Sequence, residues 1–390
     1  MSLPAPLRFI NQVGRSWRKL GGPVRALEPD ALIAEACGAT GRSELGVDDG
    51  WKQGLTRICE DMAPQDHLST VGRLVLRRHL LNSLRQRAMW LGWREREPER
   101  FATELRPPLI VVGLPRTGTT FLHRLLSSVK GARALPMWQV AEPFPPLDGP
   151  DLRRQRNQRS SAAMHRSLKA FQAKHATDAD APEECMHTMA PAFYSWTWWS
   201  TWRARGHLKW MRGADPAPAY GLWGDLLRHL QSTDTQQRFV LKSPSHTAHL
   251  ATLMAELPQA RIVWCRRKPE AVVPSYASLV ETLRTIAMPK GSTEGRAELG
   301  AEVLAHLRDV SKRAHQQADA VPTSQRVNVD FADLVSDPVA VVRRIHGAFD
   351  LPFDEAQVAA EVANRPRNKH GKHRYSLKDY GLQDAVLDEL

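Results

Sequence analysis

The sequence predicts an α/β fold in which helices flank a parallel sheet and an extra helical region lies at the N-terminus. No strand pattern precedes Pro107, whereas after it short apolar, β-branched runs alternate with helical segments. The 390 residues suffice for two ordinary domains or for one large domain with an appendage. We therefore expect a helical region over residues 1–106 and an α/β domain over residues 107–390.

Helical spacing of apolar residues marks the N-terminal region. Within LVLRRHLLNSLRQRAMWLGW, Leu76, Leu80 and Leu84 recur at intervals of one helical turn. Asp30 precedes an earlier apolar stretch and is expected to cap a helix there. The Pro107–Pro108 pair ends the helical pattern, and the run LIVVG that follows is typical of a strand buried on both faces of a parallel sheet.

Strands and helices alternate through the rest of the chain. The predicted strands are LIVVG, RFVLKS, ARIVWCRR and QRVNVDF. Helices are expected after them over residues 119–129, over residues 250–257, from near Pro269, and over residues 337–349. Residues 151–235 are expected to form a mostly helical, tryptophan-rich insertion.

Composition restricts the class of protein. Apolar residues make up 42% and charged residues 25%, as in ordinary globular proteins, and the formal net charge of +12 favours an anionic partner. No apolar run is long enough to cross a membrane and the start lacks a secretory signal, so no integral membrane association is expected. Four cysteines without a CxxC pair are typical of reduced thiols, which predicts a cytoplasmic location.

The segment GLPRTGTT, residues 113–120, carries the clearest functional signal. It lies directly between a predicted strand and a predicted helix, where glycines allow a tight turn and backbone N–H groups converge at the helix start. A phosphate or sulfate group fits such a P-loop-like turn. The residues expected to bind it are Arg116, Thr117, Gly118, Thr119 and Thr120.

This loop departs from the Walker A motif GxxxxGK[ST]. Thr119 occupies the position of the lysine, and the cation lies inside the loop as Arg116. A nucleotide kinase or other P-loop phosphotransferase needs that lysine and a bound Mg²⁺, so this class of enzyme is kept only as an alternative. A nucleic-acid-binding protein is a further alternative, suggested by the net charge alone, because no known nucleic-acid motif is present.

LPRTGTTF resembles the 5′-phosphosulfate loop of sulfotransferases that use 3′-phosphoadenosine 5′-phosphosulfate. The resemblance covers nearly the whole chain and is nearest to bacterial members with an added helical N-terminal region. It implies transfer of a sulfuryl group from that cosubstrate, without a metal, to a hydroxyl or amine of a small-molecule or lipid-like acceptor. The better-studied members carry lysine where this chain has Arg116, and arginine also makes bidentate contacts with sulfate or phosphate.

Two further basic segments match the family in part. The resemblance implies that Arg267, at a strand end, and Ser275, on the next helix, hold the 3′-phosphate, although Lys268 replaces an acidic residue common there. The carboxyl ends of parallel strands are independently where open α/β sheets bind ligands. Near the C-terminus, a basic segment resembles one that closes over the 3′-phosphate, and we expect it to act as a lid. Its candidate residues are Lys372, His373 and Arg374.

Sulfuryl transfer requires a base for the acceptor proton and a cation for the leaving phosphate oxygen. Arg116 and Lys242, the latter at the end of RFVLKS, are the candidate cations. His246 is slightly favoured as the base over Glu184, and His187 is a further candidate. The sequence does not decide between them, because His246 is displaced from the Lys-Thr-His order of the family and Glu184 lies at a predicted helix start.

The acceptor is predicted only in outline. The aromatic segment YSWTWWSTW is compatible with a hydrophobic acceptor, because Trp198 and Trp199 fall on different sides of any helix and cannot share one core. Oligomeric state is left open. The N-terminal helices could cover the acceptor cleft, form a subunit contact, or meet a membrane surface through a basic, tryptophan-containing start. That start carries Arg15, Trp17, Arg18 and Lys19.

Overall fold

A five-stranded parallel sheet lies at the centre of the computed structural model, which describes residues 5–20, 27–63, 68–167, 178–288, 295–364 and 376–383. The strands are β1 Leu109–Gly113, β2 Ala132–Arg133, β3 Arg238–Lys242, β4 Arg261–Arg266 and β5 Arg326–Asp330. Their spatial order is β2-β3-β1-β4-β5, and every neighbouring pair is parallel. The carboxyl ends of β1, β3 and β4 therefore meet at one edge of the sheet.

Strand β1 is buried along its whole length, which explains its uninterrupted apolar sequence. Ile110 and Val112 join the hydrophobic cluster on one face of the sheet, and Leu109 and Val111 join the cluster on the other. Helices cover both faces, as the strand–helix alternation predicts. The register pairs Val111 with Lys242.

The helices fall into an N-terminal group and a group that follows β1. The first group is α1 Ala5–Lys19, α2 Pro29–Thr40, α3 Gly50–Met62 and α4 Thr70–Arg96. The second group is α5 Thr119–Ser127, α6 Met137–Ala141, α7 Arg153–Ser167, α8 Thr197–Trp202, α9 Arg205–Gly213, α10 Ala217–Gln231, α11 Leu250–Glu256, α12 Pro269–Ala287, α13 Arg296–Gln316, α14 Phe331–Ser336, α15 Pro338–Ala348 and α16 Glu355–Ala363. None of the described helices combines the length and apolar content needed to cross a bilayer.

The predicted strands and most predicted helices are confirmed. α12 begins at Pro269 as expected, and the side chain of Asp337 caps α15 by accepting a hydrogen bond from the Ala340 amide. The capping role expected for Asp30 is wrong. α2 begins at Pro29 with Glu28 at the cap position, so Asp30 lies inside the first turn, where its charge faces the positive end of the helix dipole.

The aromatic segment, residues 193–202, connects three hydrophobic clusters. Phe193, Trp198 and Trp202 pack with the N-terminal helices, whereas Tyr194 and Trp196 belong to the cluster on one face of the sheet. Trp199 packs with α12 and α13. The prediction that Trp198 and Trp199 diverge is confirmed, and each of these aromatic side chains is buried in a core.

Candidate active site

The loop between β1 and α5 begins at a position that only glycine fits. Gly113 has φ of 132°, and a Cβ placed there would overlap the carbonyl oxygen of Cys265 on the neighbouring strand. The Gly113 amide donates a hydrogen bond of 2.8 Å to Oγ1 of Thr247. The close packing of β1 against β4 therefore determines where the loop leaves the sheet.

The loop then turns so that its tip is exposed and its end starts a helix. Arg116, at the tip, has φ of 70° and is exposed, and Gly118 has φ of 91°. The buried hydroxyl of Thr117 donates to the Leu114 carbonyl at 2.7 Å, which closes the turn. α5 begins at Thr119, so its first amides and the positive end of its dipole face the loop. This geometry suits an anion.

The two anion sites predicted separately from the sequence are in direct contact. Nε of Arg116 donates to Oγ of Ser275 on α12 at 3.1 Å, and Nη1 of Arg267 donates to the Arg116 carbonyl at 2.8 Å. The guanidinium of Arg267 also lies over the ring of Phe331, 4.0 Å from its centroid. Side chains from the ends of β1 and β4 and from α12 thus form one basic site.

Electrostatics favours an anion at this site. Neither Arg116 nor Arg267 forms an ion pair with a carboxylate among the described residues. Burial, with a smaller contribution from the charge of Arg116, lowers the pKa of the Arg267 guanidinium from its usual value. A bound phosphate or sulfate would relieve the repulsion between the two cations.

Lys242 and Glu184 form a second polar group beside the start of α5. Lys242 ends β3 and is 1% exposed. Its Nζ forms an ion pair with Oε1 of Glu184 and donates to Oγ1 of Thr120 at 3.3 Å. Glu184 precedes a short 3₁₀ turn, Cys185–His187, but its side chain does not cap that turn. The carboxylate instead forms an ion pair with the buried ammonium of Lys242.

His246 occupies a different environment from Glu184. Its side chain is completely buried, Nδ1 is 2.8 Å from the hydroxyl of Tyr220, and its ring centroid is 4.7 Å from that of Trp223. Burial, helped by the nearby His249, lowers the pKa of His246 to about 3. The imidazole is therefore neutral at physiological pH and shielded from solvent, whereas the Glu184 side chain is 23% exposed.

Several contacts of the site carry no local signal in the sequence. Thr247, which accepts from the first amide of the loop, lies in a short 3₁₀ turn, Pro244–Ala248, after β3. Phe331, under Arg267, is the first residue of α14. Their roles depend on the strand order β3-β1-β4-β5, which the sequence does not state. From the sequence, one could expect only that residues after β3, β1 and β4 meet at the same edge of the sheet.

Some predicted features lie outside this geometry. Lys372, His373 and Arg374 fall outside the described residues. In the part of the chain that is described, no group of three or more His, Cys, Asp or Glu side chains could hold a metal ion. A cavity of about 760 Å³ lies between α3 and α9, and the residues that line it, which include Trp51, Tyr194 and Trp210, exclude every predicted site residue.

Comparisons of sequence and of structure both find similarity to sulfotransferases. Residues 107–355 match the model of the sulfotransferase family. The curated omega-hydroxy-beta-dihydromenaquinone-9 sulfotransferase Stf3 of Mycobacterium bovis, and the same protein of Mycobacterium tuberculosis, are 23% identical to this chain over 170 residues. That alignment covers 42% of this chain and 42% of the relative, so the match spans less than half of each protein.

Two solved structures are similar over nearly the full chain. The sulfotransferase STF9 from Mycobacterium avium has a TM-score of 0.82 and 26% identity, and the match covers 93% of this chain and 94% of that one. The sulfotransferase STF1 from Mycobacterium tuberculosis has a TM-score of 0.75 and 25% identity, with 92% and 97% covered. The helical N-terminal region is therefore included in the structural similarity.

Proposed function

This chain belongs to the sulfotransferase family, and on that premise we propose that it transfers a sulfuryl group from 3′-phosphoadenosine 5′-phosphosulfate to a hydroxyl or amine. The donor, when bound, supplies the activated sulfuryl group and a phosphate leaving group. The acceptor oxygen or nitrogen forms a bond to sulfur, the bond from sulfur to the phosphate oxygen breaks, and the acceptor proton passes to a base. No metal takes part in this proposal.

The observation that carries the proposal is the contact between the two predicted anion sites. A donor with a 5′-phosphosulfate and a 3′-phosphate presents two anionic groups a short distance apart. Arg116 and Arg267 belong to different strand ends, yet a hydrogen bond of 2.8 Å joins them, and a second one links Arg116 to Ser275. Each anionic group of the donor would therefore have a cationic partner at this edge of the sheet.

Arg116 and Lys242 are proposed to stabilise the charge that grows on the leaving phosphate oxygen. Arg116 is exposed at the loop tip, and Lys242 reaches the first turn of α5 through Thr120. Both cations are held by hydrogen bonds before any ligand arrives, which keeps the cost of reorganisation low.

We propose Glu184 as the base. Its carboxylate is partly exposed and forms an ion pair with Lys242, next to the start of α5. His246, the competing candidate, is fully buried against Tyr220 and Trp223. A base must come within hydrogen-bond reach of the acceptor proton, and burial of His246 opposes that contact.

The acceptor is proposed to be a hydroxyl or amine on a small-molecule or lipid-like compound, and the protein is proposed to act in the cytoplasm. The support for a lipid-like acceptor is the name of the curated relative, which acts on a hydroxylated menaquinone. The aromatic segment gives no support, because its rings are buried in three cores and Tyr194 lines a cavity that contains no predicted site residue.

Titration calorimetry with adenosine 3′,5′-bisphosphate in the absence of Mg²⁺ tests the donor site. We expect micromolar or tighter binding by the wild-type chain, and a loss of roughly 10- to 100-fold for Arg116→Ala and for Arg267→Ala, because each removes charge-assisted hydrogen bonds. Arg266→Ala is the matched control: it removes one exposed guanidinium from the same strand end and should retain affinity.

Two results would contradict the proposal. Preference for Mg·ATP over the bisphosphate would indicate a phosphotransferase, and salt-sensitive binding to random duplex DNA would indicate a nucleic-acid-binding protein. Sulfation assays of wild type and Arg116→Ala with a panel of hydroxylated quinones and phenols then test the transfer itself.

A further inference from the structure

Exposed large hydrophobic side chains are concentrated at one place on the described surface. Five of them lie on residues 5–20 and two more at the start of α4. These residues are Phe9, Ile10, Val13, Trp17, Leu20, Leu74 and Val75. Elsewhere in the described ranges, the exposed large hydrophobic residues are Val47 and Leu152, which stand alone.

α1 has two distinct sides that explain this concentration. One side is fixed to α4: Oδ1 of Asn11 accepts a hydrogen bond of 2.9 Å from the Val71 amide, and a Cβ at Gly14 would overlap the Thr70 hydroxyl. Phe9 and Val13 are one helical turn apart on another side, and they are 66% and 51% exposed. The contact with α4 therefore leaves the apolar stripe facing away from the protein.

The charge of α1 indicates what this stripe meets. Its sequence, APLRFINQVGRSWRK, contains four basic residues and no acidic residue, and Arg8 and Arg15 are exposed. An amphipathic helix with Phe and Trp on one face and basic residues on another is the composition of helices that lie in the surface of a bilayer. A second copy of the chain would bring the same positive charges together, which disfavours self-association through this face.

We propose that α1 docks the protein on an anionic lipid bilayer. Phe9 and Val13 enter the boundary between headgroups and acyl chains, and the side chains of Arg8 and Arg15 contact anionic headgroups. The docking itself follows from α1 alone. It rests on the proposed function only in its purpose, which is to bring the active site to the surface where a lipid-like acceptor resides.

Co-sedimentation of the full chain with vesicles tests the docking. The vesicles are phosphatidylcholine alone, or phosphatidylcholine mixed with phosphatidylglycerol. We expect binding to the anionic vesicles that decreases as salt increases. Phe9→Asp with Val13→Asp should lower the partition coefficient at least about tenfold, since two apolar contacts are lost.

The matched control is Val47→Asp with Leu152→Asp, which changes the net charge equally at two other exposed hydrophobic positions, 88% and 39% exposed. It should keep binding within about twofold of wild type. Equal loss in both double variants, equal binding to both kinds of vesicle, or no binding would overturn the proposal. So would a dimer, measured by light scattering without vesicles, that Phe9→Asp with Val13→Asp converts to a monomer.

Binding of adenosine 3′,5′-bisphosphate by the same variants separates this proposal from the proposed function. If vesicle binding is lost while the nucleotide still binds, docking through α1 is supported independently. If all variants and the wild type bind vesicles as expected but not the nucleotide, the proposed function fails and the docking stands.

Discussion

At the scale of single residues, the ion pair between Glu184 and Lys242 is the most informative feature of the site. An acidic residue at a helix start ordinarily interacts with the helix dipole. Here the side chain of Glu184 makes no cap, and its carboxylate contacts a lysine that is 1% exposed at the end of β3. A partly exposed carboxylate and a buried cation are thereby placed side by side at the start of α5.

Glu184→Gln tests the proposed base. The substituted amide would keep the shape and the hydrogen-bonding capacity of the side chain but would not accept a proton, so turnover should fall roughly a hundredfold or more. Affinity for adenosine 3′,5′-bisphosphate, measured by calorimetry, should change little. Glu183→Gln, one residue away, is the control and should retain turnover. If instead His246→Gln is the variant that folds, binds nucleotide and loses turnover, the base is His246.

The residues of the proposed active site differ in how far the sequence could predict their positions. Motif and spacing were enough to select Arg116 and Arg267, which follow strand ends, and Ser275, which lies on the helix after Arg267. The contact between Glu184 and Lys242 joins positions 58 residues apart, and it depends on how the helical insertion folds back over β3. No local pattern encodes that path, which is why the sequence left two bases open.

At the scale of elements, the junction of β1, the loop and α5 is set by contact between backbones. Strand β1 pairs with β4 so that Gly113 lies opposite Cys265. The missing Cβ lets the strands approach, and the conformation at φ of 132° turns the chain into the loop. The sequence predicted this junction from a strand, a glycine-bearing turn and a helix in succession, because each of these has a strong local signature.

Gly113→Ala tests whether this close approach positions the loop. The new Cβ would collide with the Cys265 carbonyl oxygen and would also occupy an unfavourable φ, so both the free energy of unfolding and nucleotide affinity should fall. Gly131→Ala is the matched control, since Gly131 also has positive φ, 83°, but an added Cβ there meets nothing within 4 Å. It should cost only about 1–2 kcal/mol in urea unfolding. Similar costs and unchanged affinity in both variants would contradict this account.

At the scale of the whole molecule, buried histidines make stability depend on pH. Burial is the largest cause that lowers their pKa values, to about 3 or 4. The buried histidines of this kind among the described residues are His123, His207, His229, His246, His249 and His306. Composition alone cannot predict this behaviour, because a count of histidines does not say which of them the fold encloses.

His306→Leu tests the effect at one site. The pKa of His306 is lowered to about 3 in the folded protein, from a usual value of 6.5, so between these limits the unfolded chain binds a proton that the folded chain does not. The free energy of unfolding therefore falls as pH falls from 6.5 toward 3, by about 1.4 kcal/mol per pH unit for each such group. The variant should reduce the slope measured between pH 6 and pH 4 by about that amount.

His315→Leu, an exposed position on the same helix, is the control for His306→Leu and should keep the wild-type slope. An unchanged slope in His306→Leu would show that this imidazole takes up its proton in the folded state.

The aromatic segment packs across the start of the region that matches the family model. The matched region starts at residue 107, yet Trp198 and Trp202 are enclosed by side chains of α3 and α4, such as Leu55 and Leu80, from upstream of it. A chain that begins at residue 107 would lack these helices and would expose both indoles to water. The N-terminal helices therefore enclose part of the region that matches the family model, and the two share one hydrophobic core.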